Sequence, residues 1–467
     1  MDFWITTMFV TIALDFIVKG SGETVNDRLT QLKKAFRDRE AKNLILFIGD
    51  GMGMSSISAA RALRAQQDLS KQEKLLNLEN LPYTGLIDTH CQGTFSAESG
   101  CTASAMYAGI KPTPNTLGVR NIEVTSCDTE KIKKSQFNTI LELAKKSNMK
   151  VGVVTNTRIT HATPAALYAK TSSRYWYSPK DVPKNCDVES IGEQFEKRMH
   201  EFDVAFGGGL RDLPSYIEGK NMSNAFPSVN FLVTGKELEN FKLENSKPVI
   251  GVFAENHLYN AMNRSDNIEP SLSNMVRKAI DFLENKYGYV LVVENGLIDI
   301  LHHANLLQKS LKELLELDNA ISDTLERVNL DDTLVIVTAD HETSLSFSGY
   351  NRGVFEYPMH NQTILNTSFI IYAYGSKTFQ PDDEGEVLDD INDQYPAMIK
   401  AKWGQHGLAS VYVGGDGPRA FLLTGVHEQT YIFKVIEYAL GFNKLSVATS
   451  LIATTVSYYI FIVLAFY

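Results

Sequence analysis

Val292-Val293-Glu294-Asn295-Gly296-Leu297-Ile298-Asp299-Ile300-Leu301-His302-His303 is the stretch on which the reading of this chain turns. The apolar run from Tyr289 to Val293 has the β-branched content of a strand buried on both faces, as in a parallel sheet. It ends in a carboxylate, Glu294, and a glycine turn. The chain resumes with Asp299 and His303, four apart and so on one face of a helix. A carboxylate and an imidazole one turn apart suit a zinc ion, and a strand-end Glu suits a harder, oxygen-seeking ion. Taken alone, the stretch also reads as a solvated helix start with acidic caps.

The neighbouring segments decide between the two. Asn43 to Ile48 is a second buried-strand run, followed by Gly49-Asp50-Gly51-Met52-Gly53 and a helix from about Ser55 to Gln66. Thr333 to Ala339 is a third, ending in Asp340-His341-Glu342-Thr343. Three strands thus deliver acids to one sheet edge, where open α/β sheets carry their functional groups, and His303 and His341 accompany two of them. That convergence favours a metal centre over turn chemistry. Ala97-Glu98-Ser99-Gly100-Cys101-Thr102-Ala103-Ser104-Ala105 is a run of small residues entering a helix that reaches Gly109. A hydroxyl at such a helix start can meet an anion drawn by the backbone amides; Ser99 or Thr102 as a plain N-cap is equally consistent.

Further strands are expected over Lys150 to Thr155, Asp203 to Phe206, Val249 to Phe253, Ser410 to Val413 and Ala420 to Leu423. Helices are expected over 24–39, 271–285, 311–328 and 428–440, with 212–230 a surface loop and 381–395 an exposed insertion. No internal repeat or linker divides the chain, so one α/β domain with insertions is expected: a large, mostly parallel sheet with helices on both faces.

The composition of the 467 residues, 44% hydrophobic, permits a large core. The net charge of −10 and the lack of a basic run argue against a nucleic-acid partner. Phe3 to Leu14 followed by Gly20-Ser21-Gly22 resembles a secretory leader over 1–22, although Asp2 and Asp15 are atypical of one. From Leu445 to Tyr467 there is no charge, which fits either a membrane span or a glycolipid-anchor signal, with Ser446 a candidate attachment point. Sequons at Asn221, Asn263, Asn361 and Asn366 agree with secretion. Four cysteines allow one or two bridges but no disulfide scaffold.

These residues together resemble the alkaline phosphatase family. Lys42-Asn43-Leu44 through Gly53, the Ser99 segment, Arg158 through Thr163, Arg174-Tyr175-Trp176-Tyr177, Phe206-Gly207-Gly208-Gly209, Val293 through His303, Thr338-Ala339-Asp340-His341 and Gln429-Thr430 occur in the family's order, over about Ala41 to Leu440. The resemblance implies a catalytic domain over 23–443 that hydrolyses small-molecule phosphate monoesters at alkaline pH through a phosphoserine. It implies two Zn2+, one held by Asp299, His303 and His406 and the other by Asp50, Asp340 and His341, and one Mg2+ on Asp50, Thr163 and Glu294 with His161 beside it. Ser99 would be the nucleophile and Arg174 the phosphate clamp, with a Cys127–Cys186 disulfide. A homodimer tethered to the outer face of the cell membrane is also implied.

The chain departs from the family pattern at several points. Glu98 stands where the family has Asp, Gly100 and Cys101 follow the serine in place of the usual residues, and Thr343 replaces a histidine of many vertebrate members. An expected acid of the vertebrate Ca2+ site falls on Ala254, with Phe253, Glu255 and Glu269 nearby. Cys91 and Cys101 have no family counterpart, and the pattern leaves them free or paired. A phosphodiesterase or sulfatase on the same sheet, or a catalytically silent surface binding protein, are the competing readings.

Overall fold

The computed structural model describes residues 36–67, 75–243, 246–347, 370–378 and 392–442. The expected leader, the tail 445–467, the sequons at Asn361 and Asn366, and most of the 24–39 helix and the 381–395 insertion lie outside these residues.

Thirteen strands are present among them: β1 (Asn43–Gly49), β2 (Tyr83–Asp88), β3 (Lys150–Arg158), β4 (Val204–Gly208), β5 (Asn230–Leu232), β6 (Val249–Val252), β7 (Tyr289–Asn295), β8 (Thr333–Ala339), β9 (Leu345–Phe347), β10 (Ile370–Gly375), β11 (Ala397–Lys400), β12 (Val411–Asp416) and β13 (Gly425–Glu428). Ten form one sheet in the order β13-β2-β12-β8-β1-β7-β3-β4-β6-β5, and β11-β10-β9 form a small second one. All pairings in the large sheet are parallel except those of β12 with β2 and β8. Every residue of β1, β7 and β8 is buried, as expected where helices cover both faces of a parallel sheet.

The helix Leu307–Arg327 packs on Leu272–Leu283 and Met54–Gln67, and Thr430–Ala439 packs on Ser99–Ala108. No helix among the described residues is long and apolar enough to cross a membrane.

Two expectations need correction. Ala420–Leu423 is a 3₁₀ turn, not a strand, entered through Arg419 at φ 62°. Its apolar side chains pack beneath β12 and β2 instead of pairing with them. The segment 212–230 is not one irregular loop: it contains short helices at Pro214–Ile217, with proline in the first turn, and Met222–Ala225, capped by Asn221. Asn221 and Asn263 are both exposed.

The central strand order positions the site. β8, β1 and β7 are adjacent and parallel, with Gly49 opposite Ala339 on one side and Asn295 on the other. Asp50 and Asp340 therefore leave the sheet at the same level, with Glu294 two residues earlier, opposite Ile48, and all three stand at the carboxyl ends of neighbouring strands.

Candidate active site

Asp50, Glu294, Asp299, Asp340 and His341 are all buried, at 4% exposure or less, and lie at this edge. Ligand-capable atoms of Asp299, His303 and His406 lie within 4.8 Å of one another; so do those of Asp50, Asp299 and His341, and those of Asp50, His161 and Glu294. The first group is one of the expected ligand sets; the other two share Asp50 but contain Asp299 where Asp340 was expected and His161 where Thr163 was expected. Thr163 donates its hydroxyl to Asp50 Oδ2 over 3.4 Å. Gly51 is required at the crossing: its φ is +68°, and a Cβ there would meet Asp299 Oδ1 at 2.9 Å.

The histidines show how the centre is prepared. Nδ1 of His303 lies 2.6 Å from the Gly404 carbonyl, Nδ1 of His406 lies 2.7 Å from that of Ala97, and Nδ1 of His341 lies 3.2 Å from that of Glu342. A carbonyl oxygen only accepts, so each Nδ1 carries the proton and each Nε2 is turned inward. His303 Nε2 is then 3.1 Å from His406 Nε2 and 3.1 Å from Asp299 Oδ2. His341 Nε2 is 3.2 Å from Asp340 Oδ2 and 3.5 Å from Asp50 Oδ1. Lone pairs and carboxylates face one another around shared space. Asp50 Oδ1, Glu294 Oε1, Asp299 Oδ1 and His161 Nδ1 are buried with no hydrogen-bond partner. Such orphaned atoms are costly unless a cation satisfies them, so the donor set fits zinc and magnesium.

The charges are out of balance in the same sense. Burial, with Asp340, Asp299 and Glu294 as like-charged neighbours, pushes the Asp50 carboxyl well above its ordinary range. Burial and Asp299 push Asp340 up to about 8. Burial also raises Glu294, although the Thr155, Thr163 and Thr157 hydroxyls favour its charged form. Burial lowers His303, but the charge and hydrogen bond of Asp299 and the Gly404 carbonyl together outweigh it and raise the imidazole to about 9.

Ser99 begins the helix Ser99–Ala108 and is 2% exposed. Neither Ser99 nor Thr102 caps this helix. Glu98 does, its carboxylate accepting from the Gly100 and Cys101 amides at 2.9 and 2.8 Å. The first amides of the helix are thereby used, and Ser99 Oγ is left to face His341 Nε2 at 3.5 Å. Thr102 donates to Asp340 Oδ2 over 3.2 Å. Glu98 also accepts from the Asn115 amide at 2.9 Å and forms an ion pair with Arg174 Nη1. Arg174 Nε is buried and unpartnered, so its guanidinium retains donors for an anion.

Sequence reasoning missed several supports. Thr155, opposite Glu294 in the β3–β7 register, and Thr157 both donate to Glu294 Oε2. Gln429 Nε2 holds the Asp340 carbonyl at 2.7 Å. A strand over Lys150–Arg158 that turns polar after Val154 was the available signal. Cys127 pairs with Cys186, and Cys91 pairs with Cys101. Among the acids near Ala254, Glu255 accepts from the Tyr216 hydroxyl and Glu269 from the Tyr259 amide, and neither joins a three-ligand group among the described residues. Thr343 is buried and bridged to His406 through the backbone.

Ser99, Arg174, His161, Asp299, His303 and His406 line a cavity of about 780 Å³, with Tyr175, Lys402 and Trp403 also in its wall. A carboxylate–imidazole centre at the strand ends of an α/β sheet, with a hydroxyl and a guanidinium facing one cavity, suits an enzyme that acts on an anionic substrate. Comparison with known proteins then fixes the family. The profile described as alkaline phosphatase matches residues 41–442, and the chain belongs to the alkaline phosphatase family.

It is 32% identical over 443 residues to the tissue-nonspecific isozyme of alkaline phosphatase from Rattus norvegicus, covering 85% of this chain and 83% of that protein. It is 31% identical over 437 residues to the membrane-bound alkaline phosphatase of Bombyx mori, covering 84% and 78% respectively. The crystal structure of Thermus thermophilus alkaline phosphatase superposes with a TM-score of 0.65 at 23% identity, over 87% of this chain and 92% of that one. The protein is an alkaline phosphatase, a hydrolase of phosphoric monoesters.

Proposed function

We propose that the enzyme hydrolyses phosphate monoesters of broad structure through a phosphoserine on Ser99, with two zinc ions and one magnesium ion as cofactors. The observation that carries this reading is the set of three inward-facing Nε2 atoms meeting buried, partly orphaned carboxylates beside the Ser99 hydroxyl. Asp299, His303 and His406 would hold one zinc, Asp50, Asp340 and His341 the other, and Asp50, Thr163 and Glu294 the magnesium, with His161 next to it. Bound there, the ions would lower the serine pKa, offset charge on the leaving oxygen and supply hydroxide for the second displacement.

The chain's own groups set up the rest. Ser99 Oγ, excluded from capping by Glu98, attacks phosphorus from the helix start. Arg174, held by Glu98, clamps two phosphate oxygens in its planar fork. Thr155 and Thr157 orient Glu294, and the Ala97, Gly404 and Glu342 carbonyls fix the imidazole tautomers.

A Ser99→Ala variant should lose about 10³-fold or more in kcat. Acid quenching during turnover of a labelled monoester should trap phosphate on Ser99 in the parent. Unchanged hydrolysis by the variant would remove Ser99 from the mechanism. Arg174 and a full set of three ion sites favour the monoesterase over a diesterase or sulfatase. Faster cleavage of bis-p-nitrophenyl phosphate than of p-nitrophenyl phosphate would reverse that choice.

We further propose a glycosylated homodimer on the outer face of the cell membrane, with 1–22 a leader, 23–443 the catalytic domain and 445–467 directing a glycolipid anchor. Support comes from the membrane-bound Bombyx mori relative, the uncharged run after Lys444 and the exposed Asn221 and Asn263. Release from cells by phosphatidylinositol-specific phospholipase C tests the anchor against a true span.

A further inference from the structure

Residues 92–96 leave the end of β2 as an exposed excursion, with Phe95 89% exposed at its tip. Their side chains join none of the buried apolar clusters. Their hydrogen bonds among the described residues are local: the Thr94 amide to the Cys91 carbonyl at 3.3 Å and the Thr94 hydroxyl to the Ser96 carbonyl at 2.7 Å. Yet the next three residues carry much of the site. The Ala97 carbonyl accepts from His406 Nδ1, Glu98 caps the Ser99 helix and holds Arg174, and Ser99 faces His341.

The excursion is closed at its base by the Cys91–Cys101 disulfide. Cys91, Ala97 and Cys101 form a small buried cluster separate from the main core. The Glu98 amide also donates to Cys91 Sγ at 3.3 Å. One end of the bridge is in the first turn of the nucleophile's helix, and the other is against the backbone of the residue that holds the arginine.

We propose that the Cys91–Cys101 disulfide is a positioning element for phosphate binding: it holds residues 97–98 against the first turn of the Ser99 helix, so that Glu98 keeps Arg174 aimed into the cavity. The inference rests on the assigned roles of Ser99 and Arg174. Without the bridge, the chain on either side of the 92–96 excursion loses its covalent tie to the helix, and the carboxylate that joins helix, Asn115 and Arg174 is held only by its hydrogen bonds. A clamp that must first be ordered binds phosphate more weakly, in the ground state as well as the transition state.

The test uses the full-length zinc- and magnesium-loaded enzyme, with inorganic phosphate as the probe. Cys91→Ala should raise the phosphate inhibition constant and the KM for p-nitrophenyl phosphate together, by about tenfold, while kcat falls less than threefold. In a Glu98→Gln background the same substitution should change the inhibition constant by less than about threefold, because the arginine is already uncoupled. The double variant Cys91→Ala/Cys101→Ala keeps the cluster apolar, carries no stray thiol and should behave the same way; it serves if the single variant does not fold. An inhibition constant within twofold of the parent's, with only a lower melting temperature, would make the bridge a plain staple and overturn the proposal. Equal effects in both backgrounds would also overturn it. A parent enzyme lacking Ser99-dependent hydrolysis would instead sink the functional reading, and this inference with it.

Discussion

Two kinds of buried acid occur in this fold. Asp318, on the helix Leu307–Arg327, is fully buried, and each of its oxygens is engaged: by the Leu78 amide at 2.9 Å, by the Asn77 amide and side chain at 3.1 and 2.8 Å, and by Arg64. Asp50 and Asp299 are also buried, but each has an oxygen with no hydrogen-bond partner. Asp50 faces other carboxylates, and Asp299, despite burial, is held well below its ordinary range by His303, His406 and His341. The first is a cross-link between helix and loop, complete in itself. The others are complete only with a cation. Burial of an acid therefore says little about function, whereas burial with its lone pairs left open says a great deal.

The sharpest way to break this contrast is to neutralise one acid of each kind. Asp50→Asn should remove at least about 10³-fold of kcat and the binding of more than one metal ion, while metal-free protein melts at an equal or higher temperature than the parent. Asp318→Asn should do the reverse. It should cost about 2–4 kcal/mol of stability, because a buried charge pair is broken, and leave metal content and kcat per folded molecule unchanged. Metal analysis, melting curves and turnover on the two variants decide the matter. A destabilised metal-free Asp50→Asn protein would mean that the strand-end acids are structural after all.

The pH dependence of the metal-free protein gives a second, smaller effect. Asp340 is raised to about 8 from an ordinary carboxylate value of 3.8. Between those values the folded chain holds a proton that the unfolded chain has released. Stability contributed by that proton is therefore present at low pH and is lost as pH rises toward 8, with a slope of up to about 1.4 kcal/mol per pH unit. Loading with zinc and magnesium should reverse the slope over the same window, because the ions bind the deprotonated ligands. Melting temperatures at pH 5 and pH 8, with and without metal, test this directly. Parallel curves would show that the cluster is not a cation site.

The smallest expected effect concerns Glu98. A shorter Asp can still cap the helix but cannot keep the Asn115 amide and Arg174 at the same time. Glu98→Asp should thus raise KM for p-nitrophenyl phosphate about threefold with little change in kcat. A lowered KM would show that the extra methylene weakens the clamp in this enzyme.

Much of this was legible in the chain. The runs at Asn43, Tyr289 and Thr333 are strands because their β-branched and aliphatic residues tolerate burial on both faces, and the acids that end them were visible as interruptions of those runs. The Asp299–His303 spacing marked a helical ligand pair, which the helix Leu297–His303 carries. Ala420–Leu423 was misread because a four-residue apolar run looks the same whether it pairs as a strand or packs as a turn. The Cys91–Cys101 pairing could not be read at all, since spacing alone does not say which thiols meet.

Residue types and local periods determined, by themselves, which segments are buried and which chemical groups each one ends in. Only the tertiary structure decided that β8, β1 and β7 are neighbours, that His406 reaches Asp299 from more than a hundred residues away, and that Glu98 rather than Ser99 caps the helix. The physical reason is that burial is a property of a segment and its own side chains. The sharing of one space by four carboxylates and three imidazoles depends on strand order and register, which no local pattern encodes.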